Sequence, residues 1–298
     1  MILAIGNINL DWICTLPHLP APDEKVNIEQ LNVFPGGAAS NFAVSLARLG
    51  SEVAIFGHVG NDVEGREALR ALNEEHVNTH RVVREKDLAT GFVIILIGEE
   101  GQSMKLRFRG ANTRLDPKDI TVDLLEDIDI AYASSVSCPI AEQLAATCLQ
   151  VGTRAAIDVG EDLVNQSLDA LRRVISKYSI VFMNGLVFER IFNEKPSIDN
   201  VQKELSEQLE VLNVTLGREG AITATKEMVF ATPAYQVEAV DTTGAGDAFC
   251  AGFLYGLLRD QDLHTCGTWG NHVASYILKM SGARQGLPYQ QDLVGKAF

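Results

Sequence analysis

Asp241-Thr242-Thr243-Gly244-Ala245-Gly246-Asp247-Ala248-Phe249 is the stretch on which the reading of this chain turns. Gln236–Val240 ahead of it is short and strand-like. Behind it Phe249, Gly252, Phe253, Gly256 and Leu257 recur at helical spacing, so an apolar-faced helix is expected through Leu258. A glycine-rich turn between a strand and a helix start leaves successive N–H groups unpaired and directed outward, and the helix dipole adds partial positive charge. Small residues let an anion approach the backbone, which makes Gly244, Ala245 and Gly246 a candidate anion hole for a transferring phosphoryl group. Asp247, in the first helical turn, is placed to accept the proton of an attacking hydroxyl. A lone Asp at such a position more often only stabilises the dipole. Here the whole pattern Asp-Thr-x-Gly-Ala-Gly-Asp arises by chance in a chain of this length with a probability on the order of 10⁻⁵. The catalytic reading is therefore preferred.

Outward from this turn, apolar runs of strand length alternate with stretches of helical period. Ile2–Ile5, Val53–Phe56, Ile130–Ser134, Ala155–Val159, Ile180–Met183 and Val211–Leu216 read as buried strands. Ala38–Leu49, closed by Gly50, then Gly65–Glu75, Ile140–Gln150, Leu168–Lys177 and Ile198–Leu209 read as helices. Repeated strand–helix units predict an α/β fold: a mostly parallel sheet with helices on both faces, and ligands beyond the carboxyl ends of its strands. Two stretches break the rhythm. Residues 12–34 hold three prolines and the alternating run Lys25–Leu31. Residues 90–110 hold two short strands, Phe92–Ile97 and Met104–Phe108, around the turn Glu99–Gln102. Both read as antiparallel strands of a small β-lid, leaving residues 1–11, 35–89 and 111–298 as the α/β core.

The 298 residues are 46% hydrophobic and 21% charged, an ordinary globular composition, with a formal charge of −14. So acidic a surface argues against nucleic acid and anionic membrane as partners, though not against ATP, whose phosphates backbone groups and metal ions can hold. The five cysteines are scattered, without the close pairing of a zinc site or disulfide framework. Asn7, Asn9 and Asp11 interrupt the opening apolar run, so no signal segment is read there, and Phe92–Ile97 is too short to span a bilayer. A cytoplasmic location is expected.

Asn7, Asn9 and Asp11 share one face in a period-2 continuation of the first strand, where an ionised Asp would accept hydrogen bonds from sugar hydroxyls. Turn formation is the commoner role of Asn and Asp at a strand end. Gly36-Gly37 opens the next helix, with Asn41 in its first turn. Lys105, Arg107 and Arg109 alternate in the lid hairpin. Facing inward they would meet a carboxylate or phosphate on the substrate; facing outward they are a solvated surface. Thr215-Leu216-Gly217-Arg218-Glu219-Gly220 is a tight turn after a strand.

At these residues, and along nearly its whole length, the chain resembles the ribokinase-like, phosphofructokinase-B type kinases of sugars and nucleosides. The resemblance implies a three-layer α/β/α core with a β-sheet lid, ATP as donor, Mg²⁺ as required metal and small-molecule acceptors. In its terms Asp247 is the catalytic base and Gly244, Ala245 and Gly246 form the anion hole. Asn9, Asp11, Gly37 and Asn41 are substrate contacts. Thr215, Gly217 and Asn271 match nucleotide contacts, with Gly220 completing their turn and Asn184 on the phosphate side. Main-chain oxygens of Asp241 and Thr243 match a site for a monovalent cation such as K⁺, and the lid of some members joins two copies into a homodimer. Three positions depart from the pattern. Ala38 stands where ribokinases carry Lys, Gly286 where a serine hydroxyl serves the cation, and Val187 where a Glu three residues after Asn184 helps hold the metal. Glu189 lies about 200° around a helix from Val187 and is no obvious substitute. A sugar kinase, a nucleoside kinase and a binding protein without turnover are the three readings left standing, and an intact Asp247 speaks against the last.

Overall fold

The computed structural model describes residues 1–293 apart from 100, 161–162 and 164–166. Six parallel strands form its centre: β1 (Ile2–Gly6), β4 (Val53–Phe56), β9 (Ile130–Ser134), β10 (Arg154–Asp158), β11 (Ile180–Asn184) and β12 (Val211–Thr215). Two antiparallel strands, β13 (Ala221–Ala224) and β14 (Val229–Thr232), extend one edge and give the order β14-β13-β12-β11-β10-β9-β1-β4. Each central strand is apolar on both faces because both faces are covered. Leu3 and Ile5 of β1 join one core cluster, with α3 (Cys138–Val151), α4 (Leu168–Ile175), α5 (Gly185–Phe192) and α6 (Ile198–Gln202). Ile2 and Ala4 join the other, with α1 (Ala38–Arg48), α2 (Val63–Glu74), α7 (Ala245–Leu257) and α8 (Leu263–Ile277). The result is the three-layer α/β/α architecture expected from the sequence.

A second sheet, in the order β3-β2-β7-β8, consists of β2 (Asn9–Thr15), β3 (Gln30–Gly36), β7 (Gly91–Ile97) and β8 (Ser103–Phe108). Its outer pairings are antiparallel, whereas the central pair β2–β7 is parallel. Asn9–Asp11, assigned above to the core, are the opening residues of this small sheet. The alternating run Lys25–Leu31 is mostly irregular. Because β2 ends at Thr15, ahead of Pro17, residues 25–28 have no strand to pair with, and the ladder starts only at Gln30.

Three other expectations need correcting. Gln236–Val240 is not a strand; Gln236, Val237 and Ala239 instead line a cavity. The helix from Ile198 stops at Gln202 instead of reaching Leu209. There Ser206 donates to the Ser176 carbonyl and accepts the Leu209 N–H, bending the chain into β12. Finally α5 and α8 were not foreseen. α8 packs against α7 through glycines: a Cβ on Gly252 would lie 2.7 Å from the Trp269 carbonyl oxygen, and one on Gly270 would lie 2.8 Å from the Phe249 ring. This close approach seats Phe249 and Phe253 edge-on to Phe182, building an aromatic floor under the first turn of α7.

Candidate active site

The first turn of α7 stands at the carboxyl ends of the parallel strands. Gly244 is its N-cap in the left-handed conformation, φ 81°, and a Cβ there would lie 2.9 Å from the Ala283 carbonyl oxygen, so only glycine fits. A Cβ on Gly246 would meet nothing within 4 Å: the turn faces open space. The Ala245 N–H, expected to be unpaired, donates to the Thr242 carbonyl at 3.2 Å. Among the described residues no main-chain acceptor faces the N–H of Gly244, Gly246 or Asp247. Asp241 braces the turn by accepting the N–H of Thr243 (2.9 Å) and of Gly282 (3.0 Å). Burial, the largest single influence, pushes its carboxyl up, but the two N–H donors, the Thr243 hydroxyl and Lys105 together leave it below its ordinary value.

Asp247 is 9% exposed. Burial is the largest influence on its carboxyl and the neighbouring Asp158 carboxylate the next. The Asn41 hydrogen bond and Arg284 oppose them, Asp11 adds to them, and the balance lies at about 8. Asp158, at the carboxyl end of β10, is itself pushed up to about 6 by burial, with a Ser134 hydrogen bond opposing. Neither Asp158 nor Arg284 was singled out from the sequence. Asp158 carried one usable signal, a carboxylate at the ligand-facing end of a strand otherwise apolar; Arg284 carried none.

Of the residues expected to contact substrate, Asn41 and Asp11 stand beside Asp247. Asp11 lies over Gly36, where a Cβ would come within 2.2 Å of its Oδ2. Its carboxyl is raised by burial to about 6, against the pull of Arg284 and Lys105. Gly37 has φ 94°, and a Cβ there would lie 2.3 Å from the Asn7 carbonyl oxygen. Asn41 donates from Nδ2 to Asp247 Oδ2 at 3.0 Å and accepts at Oδ1 from Arg284. Asn9 Oδ1 accepts from Asn112, which also takes the Ile8 N–H on its own Oδ1, so Asn112 clamps the point where the chain passes from core to lid. In the sheet register Asp11, Val93 and Arg107 form one row and Ile13, Ile95 and Lys105 the next on the same side, so Lys105 and Arg107 share the Asp11 face of the lid. Arg109 lies one residue beyond β8.

On the opposite flank of the turn, Thr215, Gly217, Gly220 and Asn271 line one cavity with Ala245, Gly246 and Phe249, about 250 Å³ in volume. Asn271 commits its Nδ2 to the carbonyl (3.0 Å) and hydroxyl (3.1 Å) of Thr232, which pins α8 to β14. Asn184 does not line this cavity. Paired with Thr215 across β11 and β12, it caps α5 by accepting the Val187 N–H at 2.8 Å. Val187 is buried in the core at 6% exposure and offers no metal ligand. Among the described residues no three acidic, histidine or cysteine side chains cluster for a metal, and all five cysteines are free.

The glycine turn at the N-terminus of α7, the buried carboxylate beside it and the cavity on its flank suit an enzyme that handles a phosphoryl group. The chain belongs to the pfkB family of carbohydrate kinases, whose model matches residues 1–290. It is 31% identical to an uncharacterized sugar kinase of Archaeoglobus fulgidus over 84% of this chain and 100% of that one. It is also 28% identical to a nucleoside kinase of Methanothermobacter thermautotrophicus, over 96% and 92%. The crystal structure of Methanocaldococcus jannaschii nucleoside kinase, 26% identical, superposes with a TM-score of 0.85 over 98% of this chain and 95% of that one. The protein is a phosphotransferase with an alcohol acceptor, and membership of the family implies ATP as donor. No helix among the described residues is long and apolar enough to cross a membrane.

Proposed function

We propose that this enzyme phosphorylates a hydroxyl of a sugar bearing an anionic group, with ATP in the cavity beside α7 and the sugar between Asp11 and Asp247. The observation that carries the reading is the juxtaposition of Asp247, buried beside the open Gly246 turn, with a lid face that presents Asp11, Lys105 and Arg107 together. The acceptor hydroxyl attacks the γ-phosphorus in line as its O–H bond breaks. Its proton passes to the Asp247 carboxylate, and the bond from phosphorus to the ADP oxygen breaks. Charge building on the transferred group is met by the N–H groups of Gly244 and Gly246 and by the dipole of α7. Asp11 and Asn9 orient the sugar, Gly37 lets it approach the backbone, and Arg107 and Arg109 meet its carboxylate or phosphate. Thr215, Gly217, Gly220 and Asn271 form the nucleotide wall, with Asn184 behind Thr215. Mg²⁺ needs few protein ligands when phosphates supply the rest, so Val187 at the position of the expected Glu leaves the metal to be held chiefly by the ATP phosphates. Main-chain oxygens of Asp241 and Thr243 are the proposed seat for K⁺.

An ATP-coupled screen of pentoses, hexoses, sugar acids, sugar phosphates, inositol and nucleosides tests this. Anionic sugars are expected to give the highest kcat/KM. A nucleoside in first place would refute the anionic-sugar reading, and ADP release that no acceptor accelerates would refute kinase function.

The outer face of the lid supports a homodimer. Val33, Trp12, Ile94 and Leu106 form one apolar row across all four strands, with Leu31 and Phe108 flanking it; Val33, Leu106, Leu31 and Phe108 are each 45–50% exposed. A second copy laid on this face would cover it. The double variant Val33→Asp, Leu106→Asp is expected to sediment as a monomer at micromolar concentration where the parent sediments as a dimer. An unchanged mass would exclude the lid as the interface.

A further inference from the structure

Arg284 is 7% exposed and lies beyond the end of α8, in a segment docked on α1. Arg48 of α1 donates to the main-chain oxygens of Arg284 (2.9 Å) and Leu287 (3.0 Å) while its guanidinium pairs with Glu75. The Arg284 side chain donates from Nε to Asn41 Oδ1 at 2.8 Å and from Nη2 to the Gly36 carbonyl at 3.0 Å. Asn41 Nδ2 donates in turn to Asp247 Oδ2 at 3.0 Å. This chain of bonds allows one orientation only. A guanidinium can only donate and a carboxylate can only accept, so the amide between them must turn its oxygen to Arg284 and its NH₂ to Asp247. With one bond at each end of its amide, Asn41 bridges Arg284 and Asp247.

We infer that Arg284 is a positioning residue for Asp247: through the fixed Asn41 amide it holds Oδ2 of the base and leaves Oδ1 for the acceptor hydroxyl. Among the described residues Oδ1 has no hydrogen-bond donor. The assignment rests on Asp247 being the base. The charged and titratable groups around Asp247 come from five strands and helices and from the segment after α8: Asp158 on β10, Asp11 on β2 with Lys105 of β8 beside it, Tyr132 on β9, Cys250 on α7 itself, and Arg284. Of the first neighbours, only Arg284 and the Asn41 amide favour the ionised form; Asp158 and Asp11 oppose it. Breaking the bridge therefore moves the base toward its protonated, inactive form.

The test follows the Asp247 carboxyl by ¹³C NMR titration, which needs no acceptor, and kcat against pH with the best acceptor of the screen. In Arg284→Gln the carboxyl midpoint and the rising limb of kcat are both expected to move up by roughly one pH unit. The variant should lose about tenfold in kcat at pH 7 and recover to within about threefold of the parent at high pH, with the KM for ATP unchanged. A loss uniform across pH is what a merely structural role predicts, and it would overturn the assignment. Asn41→Leu breaks the bridge with the guanidinium still present. It is expected to give the same upward move, and the double variant to fall no further than Asn41→Leu alone. Should Arg284→Gln fail to fold, an unmoved midpoint in Asn41→Leu is decisive against the idea. If no acceptor turns over in the parent, the kinase reading fails while the titration still decides the bridge.

Discussion

Asp247→Asn is expected to lower kcat by at least about 10³-fold while leaving the fold and ATP binding in place. The replacement keeps shape, and its amide oxygen can still accept the Asn41 N–H, so what is lost is proton acceptance alone. Turnover within tenfold of the parent would remove Asp247 as the base. The same residue fixes two pH dependences. A carboxyl at about 8 in the free enzyme serves as a base only when ionised, so kcat/KM of the parent should rise as pH climbs through that value. Stability runs the other way. The folded chain keeps this proton up to about pH 8, whereas the unfolded chain releases it near 3.8, so the folded state holds the extra proton between those limits. The resulting stability is fully present below the lower value and is lost as pH rises through the upper one. Asp247→Asn carries no such penalty. Its Tm is expected to match or exceed that of the parent, with the gap widening from pH 4 to 8; equal Tm values throughout would mean that Asp247 is solvated in the folded enzyme.

Asp11→Ala should raise the KM for the acceptor by about 10²-fold and leave the KM for ATP within twofold. Two charge-assisted hydrogen bonds to sugar hydroxyls account for a loss of that size. Asp11 lies on the small sheet and is not among the residues lining the cavity proposed for ATP, so its loss should leave ATP binding separable from acceptor binding. An acceptor KM that does not change would contradict its role. Burial raises this carboxyl to about 6, so acceptor affinity in the parent is also expected to weaken as pH falls through that value.

Some of this was legible in the chain and some was not. The central strands were readable nearly to the residue because strands covered on both faces are unbroken apolar runs, as Ile130–Ser134 and Val53–Phe56 are. α8 escaped because Gly267 and Gly270 dilute its apolar period; those glycines serve contact with its neighbours, which periodicity does not register. The 241–247 turn was legible because its chemistry is local, seven consecutive residues whose types suit one task. Arg284 was invisible for the opposite reason: its partner Asn41 is 243 residues away, and only the folded chain joins them. The facing of Lys105 and Arg107 depended on the pairing of β8 with β7, and no count of charges supplies that register.

The small sheet is tied to the body of the enzyme at four places, where β2 and β7 begin and where β3 and β8 end. Glycine stands at each: Gly6 shortly ahead of β2, Gly37 after β3, Gly91 opening β7 and Gly110 after β8, each packed so tightly that a Cβ would fall within 2.0–2.3 Å of a neighbouring atom. A flap on a single hinge swings through a wide arc; a plate stitched down at four points can only rock. The four tightly packed glycine junctions therefore restrict this sheet to small rocking movements relative to the core.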